Sequence, residues 1–253
     1  MPITRRRFGV IARNALASLA LGGGCSGPSE STPADTGRFT ARPRGGVATS
    51  VTGERTLGLD PARDAILRVP SAATTAPLPL MMFLHGAGQS AEEMFHYLGS
   101  APDDAGVAVL IPNARGSTWD AISGRFGRDV AFLNRALERV FDLVAVDPAR
   151  LAIGGFSDGA SYALSLGLIN GDLFPRVVAF SPGFVVDGAP QGHPRFFVSH
   201  GTADRILPID RCSRVIVSDL RRRGYDVVFR EFDGGHEVPD AIAREGMQSV
   251  AAP

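Results

Sequence analysis

Residues 155–159 read Gly-Phe-Ser-Asp-Gly, preceded by the apolar run Leu151-Ala152-Ile153-Gly154 and followed by Ala160, Ala163, Leu164, Leu166 and Leu168. A buried strand, a sharp turn and a helix in that order lift a serine hydroxyl clear of the backbone, because flanking glycines remove side chains that would collide in the turn. The helix N-terminus favours negative charge beside it. Glycine is abundant, with 30 residues, so the short pattern alone says little. Its strand, turn and helix setting is what singles out Ser157 as a nucleophile.

A serine hydroxyl needs a base, and the base needs an orienting acid, in the chain order Ser, Asp or Glu, His. His193, His200 and His236 lie downstream of Ser157. His236 follows an apolar strand pattern through Asp233-Gly234-Gly235, a loop able to carry an imidazole over a sheet edge, and is the expected base. His200, in His200-Gly201, reads as a structural hydrogen bonder in a turn, and His193, in a Gly-Pro loop, as a surface residue. Asp204 closes Gly201-Thr202-Ala203 just past a strand, on the side of a parallel sheet where sites collect, and is the expected acid. Its alternative is a turn aspartate bonding its own backbone. Asp233 and Asp240 are rivals too close in sequence to His236 to come from a separate strand end. Activity should rise with pH as the imidazole loses its proton.

An acyl-transfer site also needs donors for a developing oxyanion. The run Leu78–Leu84 ends in His85-Gly86-Ala87-Gly88-Gln89, and the backbone N–H groups of Ala87 and Asp158 are the expected pair. Asp158 also opens the helix after the turn, and His85 reads as structural.

These residues need a sheet to hold them. Apolar runs at 64–69, 78–84, 107–111, 151–154, 176–180, 196–199 and 226–232 read as strands. Between them, 128–144 carries a broad apolar helical stripe, Ser90 and Glu93 form a capping box for a helix through Leu98, and 210–223 and 238–250 are further helices. The alternation predicts an α/β fold, mainly parallel with helices on both faces. The connection after the sixth strand, 180–195, is rich in Gly and Pro with only Phe184, Val185 and Val186 as apolar residues, which predicts no large cap domain and a site open to water.

Several blocks in this order resemble the phospholipase/carboxylesterase family of α/β-hydrolases: Gly155 to Gly159, His85-Gly86-Ala87-Gly88, Pro112-Asn113-Ala114-Arg115-Gly116 leading to Trp119-Asp120, His200 to Asp204 with Pro208, and Gly235-His236-Glu237-Val238. Asp147-Pro148-Ala149-Arg150 is similar also to feruloyl esterases and polyhydroxybutyrate depolymerases. The resemblance covers nearly everything from Leu78 onward. It implies an α/β-hydrolase fold, a Ser157–Asp204–His236 triad, Ala87 and Asp158 as oxyanion donors, and a serine carboxylesterase; the site left open by 180–195 predicts small soluble short-acyl or aryl esters as its substrates. It places Trp119 near the acyl pocket, with core packing as the equal alternative. Family members often carry Gln where this chain has Asp158. A polymer-directed esterase and a non-catalytic surface lipoprotein using the fold for binding are the alternatives; an intact triad argues against the latter.

The N-terminus has a separate logic. Thr4-Arg5-Arg6-Arg7-Phe8 followed by an apolar, acid-free stretch to Gly24 reads as a Tat-type export signal, with residues 1–25 as the signal. Leu21-Gly22-Gly23-Gly24 before Cys25 is similar to a lipobox, which would make Cys25 an acylated N-terminus; the alternative is an ordinary cleaved signal. Residues 26–46, rich in Gly, Pro, Ser and Thr, read as a flexible tether, and 47–253 as the catalytic domain. An exported protein results, periplasmic or extracellular, touching membrane only through a lipid.

Composition sets the outer limits. The 253 residues are 44% hydrophobic with net charge +0 and mean hydropathy +0.07, which fits one sizeable domain. Balanced charge gives no reason to expect a nucleic-acid partner. Cys212, the other cysteine, reads as a buried small residue. No metal-ligand spacing, dinucleotide fingerprint or phosphate loop appears, so no metal or cofactor is expected.

Overall fold

The computed structural model describes residues 32–71 and 76–253. The expected export signal, Cys25 and the first part of the tether lie outside the described residues. Eight strands form one sheet among those described: β1 (Gly53–Thr56), β2 (Ala65–Val69), β3 (Leu78–Leu84), β4 (Ala108–Pro112), β5 (Val146–Phe156), β6 (Arg176–Phe180), β7 (Arg195–Gly201) and β8 (Val227–Phe232). Their order is β1-β2-β4-β3-β5-β6-β7-β8. β2 runs antiparallel to β1 and β4, and every other neighbouring pair is parallel.

Strands β3 and β4 are buried throughout, which is why they read as unbroken apolar runs rather than alternating ones. Alternate residues of β3 enter different cores: Leu80, Met82 and Leu84 join one cluster, and Met81 and Phe83 the other. Helices α4 (Arg128–Leu143), α5 (Asp158–Ile169) and α6 (Ser213–Arg222) contribute to the first cluster, α1 (Ala91–Leu98) and α7 (Asp240–Ala251) to the second. α1 starts at the expected capping box, with Glu93 N–H donating to Ser90 Oγ and Ser90 N–H to Glu93 Oε2. Register brings the upper strand ends together. Phe156 pairs with Phe180 and Phe180 with Ser199, so Ser157 leaves the sheet near Ser181 and His200.

Three short elements escape the sequence reading: β1, α2 (Ala101–Ala105) and α3 (Asp120–Ser123). None is long enough to display a period. β5 also begins earlier than expected, because Pro148 interrupts its apolar pattern where the strand is exposed. Residues 181–194, between β6 and β7, contain no helix, so this connection forms no helical cap.

The tether requires correction. From Thr32 onward the chain is packed rather than free: Phe39 and Ala41 are only 2% and 3% exposed, and Phe39 meets Phe174 edge-on with ring centroids 5.6 Å apart. The side-chain amide of Asn170 accepts from Phe39 N–H and donates to Gly37 O, while Asn134 Oδ1 accepts from the N–H groups of Thr40 and Ala41. Arg38 forms a two-pronged pair with Asp172. Two apolar residues in an extended stretch suffice to seat it, and amides on α4 and at the end of α5 satisfy its backbone. Replacing Phe39 with alanine should therefore destabilise the folded domain by about 3–5 kcal/mol, read from urea unfolding. A free tether would show no change.

Candidate active site

The turn that carries Ser157 is enforced by backbone crowding. Ser157 sits at φ 57°, ψ −121°, a region that non-glycine residues occupy only when their surroundings over-determine it. A β-carbon on Gly155 would collide with the Gly159 backbone, and one on Gly159 with the carbonyls of Leu84 and His85. Ser157 N–H donates to Phe180 O at 3.0 Å, and Ser161 N–H to Ser157 O at 3.0 Å. Between a tight strand and a tight helix, the hydroxyl has one way to face.

The hydroxyl meets His236. Ser157 Oγ and His236 Nε2 are 2.8 Å apart, and His236 Nδ1 lies 2.6 Å from Asp204 Oδ2. Nδ1–H therefore donates to the carboxylate, leaving Nε2 to accept the serine proton. Phe156 supports the imidazole with ring centroids 4.8 Å apart, and Tyr97 stacks on Phe156 at 5.0 Å. Asp204 is buried, and burial alone would raise its pKa. Donors from Leu207 N–H, His236 and Ile206 N–H outweigh that and hold it below the usual carboxylate range. The turn-aspartate geometry and the contact with His236 thus coexist: Oδ1 bonds its own turn while Oδ2 faces His236.

The rivals stand elsewhere. Asp233 and Asp240 are exposed. His193 lies on the surface against Tyr225, as expected. His200 does bond within its turn, to Leu207 O at 2.7 Å, but it also lies 3.1 Å from Asp204 Oδ2. That second contact connects two histidines to one carboxylate, which the sequence reading missed; the adjacent His-Gly and Asp204 were the only available signal.

The loop after β3 borders Ser157. A β-carbon on Gly86 would lie 3.3 Å from Ser157 Cβ. Gly86 N–H is taken by Gln89 Oε1 and Gly88 N–H by Ser117 O, whereas Ala87 is exposed beside them. Asp158 is the first residue of α5, where a backbone N–H has no intrahelical acceptor. Its carboxylate accepts from Thr118 Oγ1 at 2.7 Å. Thr118 is a neighbour of the site that no sequence pattern marked, and Gln89 closes the expected loop by accepting Gly86 N–H.

Trp119 requires correction as a pocket residue. It is fully buried, stacked on Tyr162 with centroids 5.3 Å apart, and its indole N–H donates to His85 O at 2.8 Å. A buried indole needs such an acceptor, and finding it in His85 makes Trp119 a brace for the loop, so core packing is the correct alternative. His85 Nε2 accepts from Ala114 N–H and Nδ1–H donates to Gly86 O. Beneath them Tyr162 donates to Asp120, while Asp120 and Asp129 each accept the other's backbone N–H. Burial pushes Asp129 up to about 6.

Comparisons with known proteins place this geometry. No protein-family model matches the chain. A protein described as an esterase, NocK of Nocardia uniformis, is 31% identical over 146 residues, covering 53% of this chain and 42% of that one. Feruloyl esterase C of Emericella nidulans is 27% identical over 158 residues, covering 58% and 57%. The chain thus spans about half the length of these relatives. Among solved structures, the Staphylococcus aureus serine hydrolase FphF superposes with TM-score 0.62 at 15% identity, covering 82% of this chain and all of that one. A Mesorhizobium loti carboxylesterase superposes with TM-score 0.59 at 21% identity, covering 79% and 100%. The fold is the α/β-hydrolase fold. The names of the relatives, esterase and feruloyl esterase, agree with the resemblance read from the motif blocks.

Burial holds both His85 and His200 below the ordinary imidazole range. Unfolding lets each take up a proton near pH 6.5, so the unfolded state binds more protons and stability falls as pH drops below about 6.5. Asp129 acts oppositely, since the folded state protonates first as pH falls through about 6. Two histidines against one carboxylate should lower the melting temperature between pH 7.5 and 6, and replacing His85 with glutamine should flatten that slope in a calorimetric pH series.

Proposed function

We propose that this protein is a serine hydrolase cleaving carboxylic esters through an acyl-enzyme. The observation that carries the reading is the unbroken chain from Ser157 Oγ through His236 to Asp204 on a strained turn at the sheet edge. His236 Nε2 takes the hydroxyl proton as Ser157 Oγ bonds to the ester carbonyl, and the carbonyl oxygen becomes an oxyanion facing the N–H groups of Ala87 and Asp158. The C–O bond to the alcohol then breaks. Nε2–H returns its proton to the departing oxygen, leaving the acyl group on Ser157. Water repeats the sequence, giving up a proton to His236 and releasing the acid. Asp204 orients the imidazole and stabilises its charged form without taking the proton.

Small, soluble short-acyl or aryl esters fit the site best. The connection 181–194 forms no cap, and the apolar side chains exposed near this edge are Phe184, 40% exposed, and Ile206, 70% exposed. A pair of separated apolar groups can hold an aromatic or short acyl chain, but offers no continuous surface for a lipid interface. The name of the feruloyl esterase relative favours the alternative, a polymer-directed esterase of the feruloyl esterase kind. Export through the Arg5-Arg6 signal and acylation of Cys25 belong to the same proposal and rest on the sequence alone.

A fluorophosphonate probe should label Ser157 and no other residue, as read by peptide mapping; unlabelled folded protein would overturn the hydrolase reading in favour of a binding module. Asp204→Asn should lower kcat by about 10⁴ with folding retained, because the wrong imidazole tautomer cannot accept the serine proton. Among p-nitrophenyl esters, rates should peak at short chains and show no rise at micelle formation, whereas a long-chain maximum would replace the soluble-ester reading with a lipid one. Mass spectrometry of the mature N-terminus should find a lipid on Cys25, and a free terminus beyond it would leave an unanchored exported protein.

A further inference from the structure

Residues 117–120 tie the two halves of the site together, one bond per residue. Ser117 O accepts from Gly88 N–H at 2.7 Å, and Trp119 Nε1–H donates to His85 O at 2.8 Å, both in the loop after β3. Thr118 Oγ1–H donates to Asp158 Oδ2 at 2.7 Å, and Asp120 Oδ1 accepts from the Tyr162 hydroxyl at 2.8 Å, both on α5. The segment thus grips loop, helix, loop and helix in turn. The two expected oxyanion donors sit on those same parts, Ala87 N–H within the loop and Asp158 N–H in the first turn of the helix.

One of the four bonds stands out. An aspartate in the first turn of a helix ordinarily turns its carboxylate onto the free N–H groups there, where the helix end is positive. In α5 those N–H groups are the ones an oxyanion needs. Among the described residues, the half-buried Asp158 carboxylate accepts from Thr118 instead, and no side chain caps α5.

We propose that Thr118 is a positioning residue whose hydroxyl holds the Asp158 carboxylate against 117–120 and so keeps the N-terminal end of α5 open to an oxyanion. The proposal rests on the serine-hydrolase reading above. Released from Thr118, the carboxylate competes with the oxyanion for the same donors and opposes it by like charge. Thr118 therefore acts through Asp158, and its worth depends on that carboxylate being present.

That dependence supplies the test. Thr118→Val keeps the shape and removes the donor, Thr118→Ser keeps the donor, and Thr118→Val is also made in an Asp158→Ala background, which retains the backbone N–H. Rates on p-nitrophenyl acetate are normalised to active sites by fluorophosphonate titration. Affinity is measured for an aryl trifluoromethyl ketone, which binds serine as an oxyanionic adduct. Thr118→Val should lower kcat about tenfold, short of the roughly 10²–10³ lost with a whole oxyanion donor, and leave KM within about twofold. The ketone should lose affinity by the same factor as kcat/KM. Thr118→Ser should retain most of the activity. In the Asp158→Ala background, Thr118→Val should cost less than about twofold, because no carboxylate remains to restrain. An equal loss in both backgrounds would assign Thr118 to packing and overturn the proposal, as would a Thr118→Val protein with wild-type kcat. If Thr118→Val does not fold, Thr118→Ala carries the same comparison. Wild-type protein that hydrolyses no ester would instead overturn the underlying reading, a result distinguishable before any variant is made.

Discussion

Gly159 lies against the carbonyls of Leu84 and His85 so closely that no β-carbon fits between them. Much of the site depends on that contact. It presses the start of α5 onto the end of β3, which forces Ser157 into its left-handed turn and sets the His85–Gln89 loop beside it. Ser157 and the candidate oxyanion loop are therefore not independently placed. One backbone approach, possible only with hydrogen in place of a side chain, positions both.

A second layer holds the loop from behind. Trp119 gives its only donor to His85 O, His85 bonds Ala114 N–H and Gly86 O, and Tyr162 reaches from α5 to Asp120. Each of these buried polar atoms has a partner, and the partners lie on different elements. The network thus links α5, the loop after β3 and the segment 113–129 into one frame. Stiffness near the reacting atoms matters because stabilisation of a developing charge relies on dipoles already in place.

The electrostatics follow from an unequal distribution of burial. Asp204 keeps its charge inside the protein because three donors converge on it, two from its own turn and one from His236. His200 and His85 stay neutral because burial disfavours their charged forms. His236 alone of the three is partly open, with 15% of its side chain exposed. Water and substrate can reach that ring while its partner carboxylate remains dry.

The amino-acid order by itself determined the parallel α/β layout, the elbow at Ser157, and the selection of His236 and Asp204 as the residues that line up behind it. Those features are legible because each depends on local rules: apolar runs make buried strands, glycines permit crowded turns, and strand ends precede catalytic loops. Trp119, the seated segment 32–41 and the bonds of His200 to Ser213 and Leu207 were decided only by the tertiary structure. Trp119 carried equal signals for pocket and core, and only the acceptor His85 O, 34 positions away in sequence, settled which. Phe39 looked like one apolar residue in a polar stretch until Phe174 and Asn170 closed over it. His200 obeyed its local turn and also met Asp204, a second contact set by the path of the turn after β7. Side-chain contacts across elements depend on how the chain returns to itself in space, and neither periodicity nor composition encodes that return.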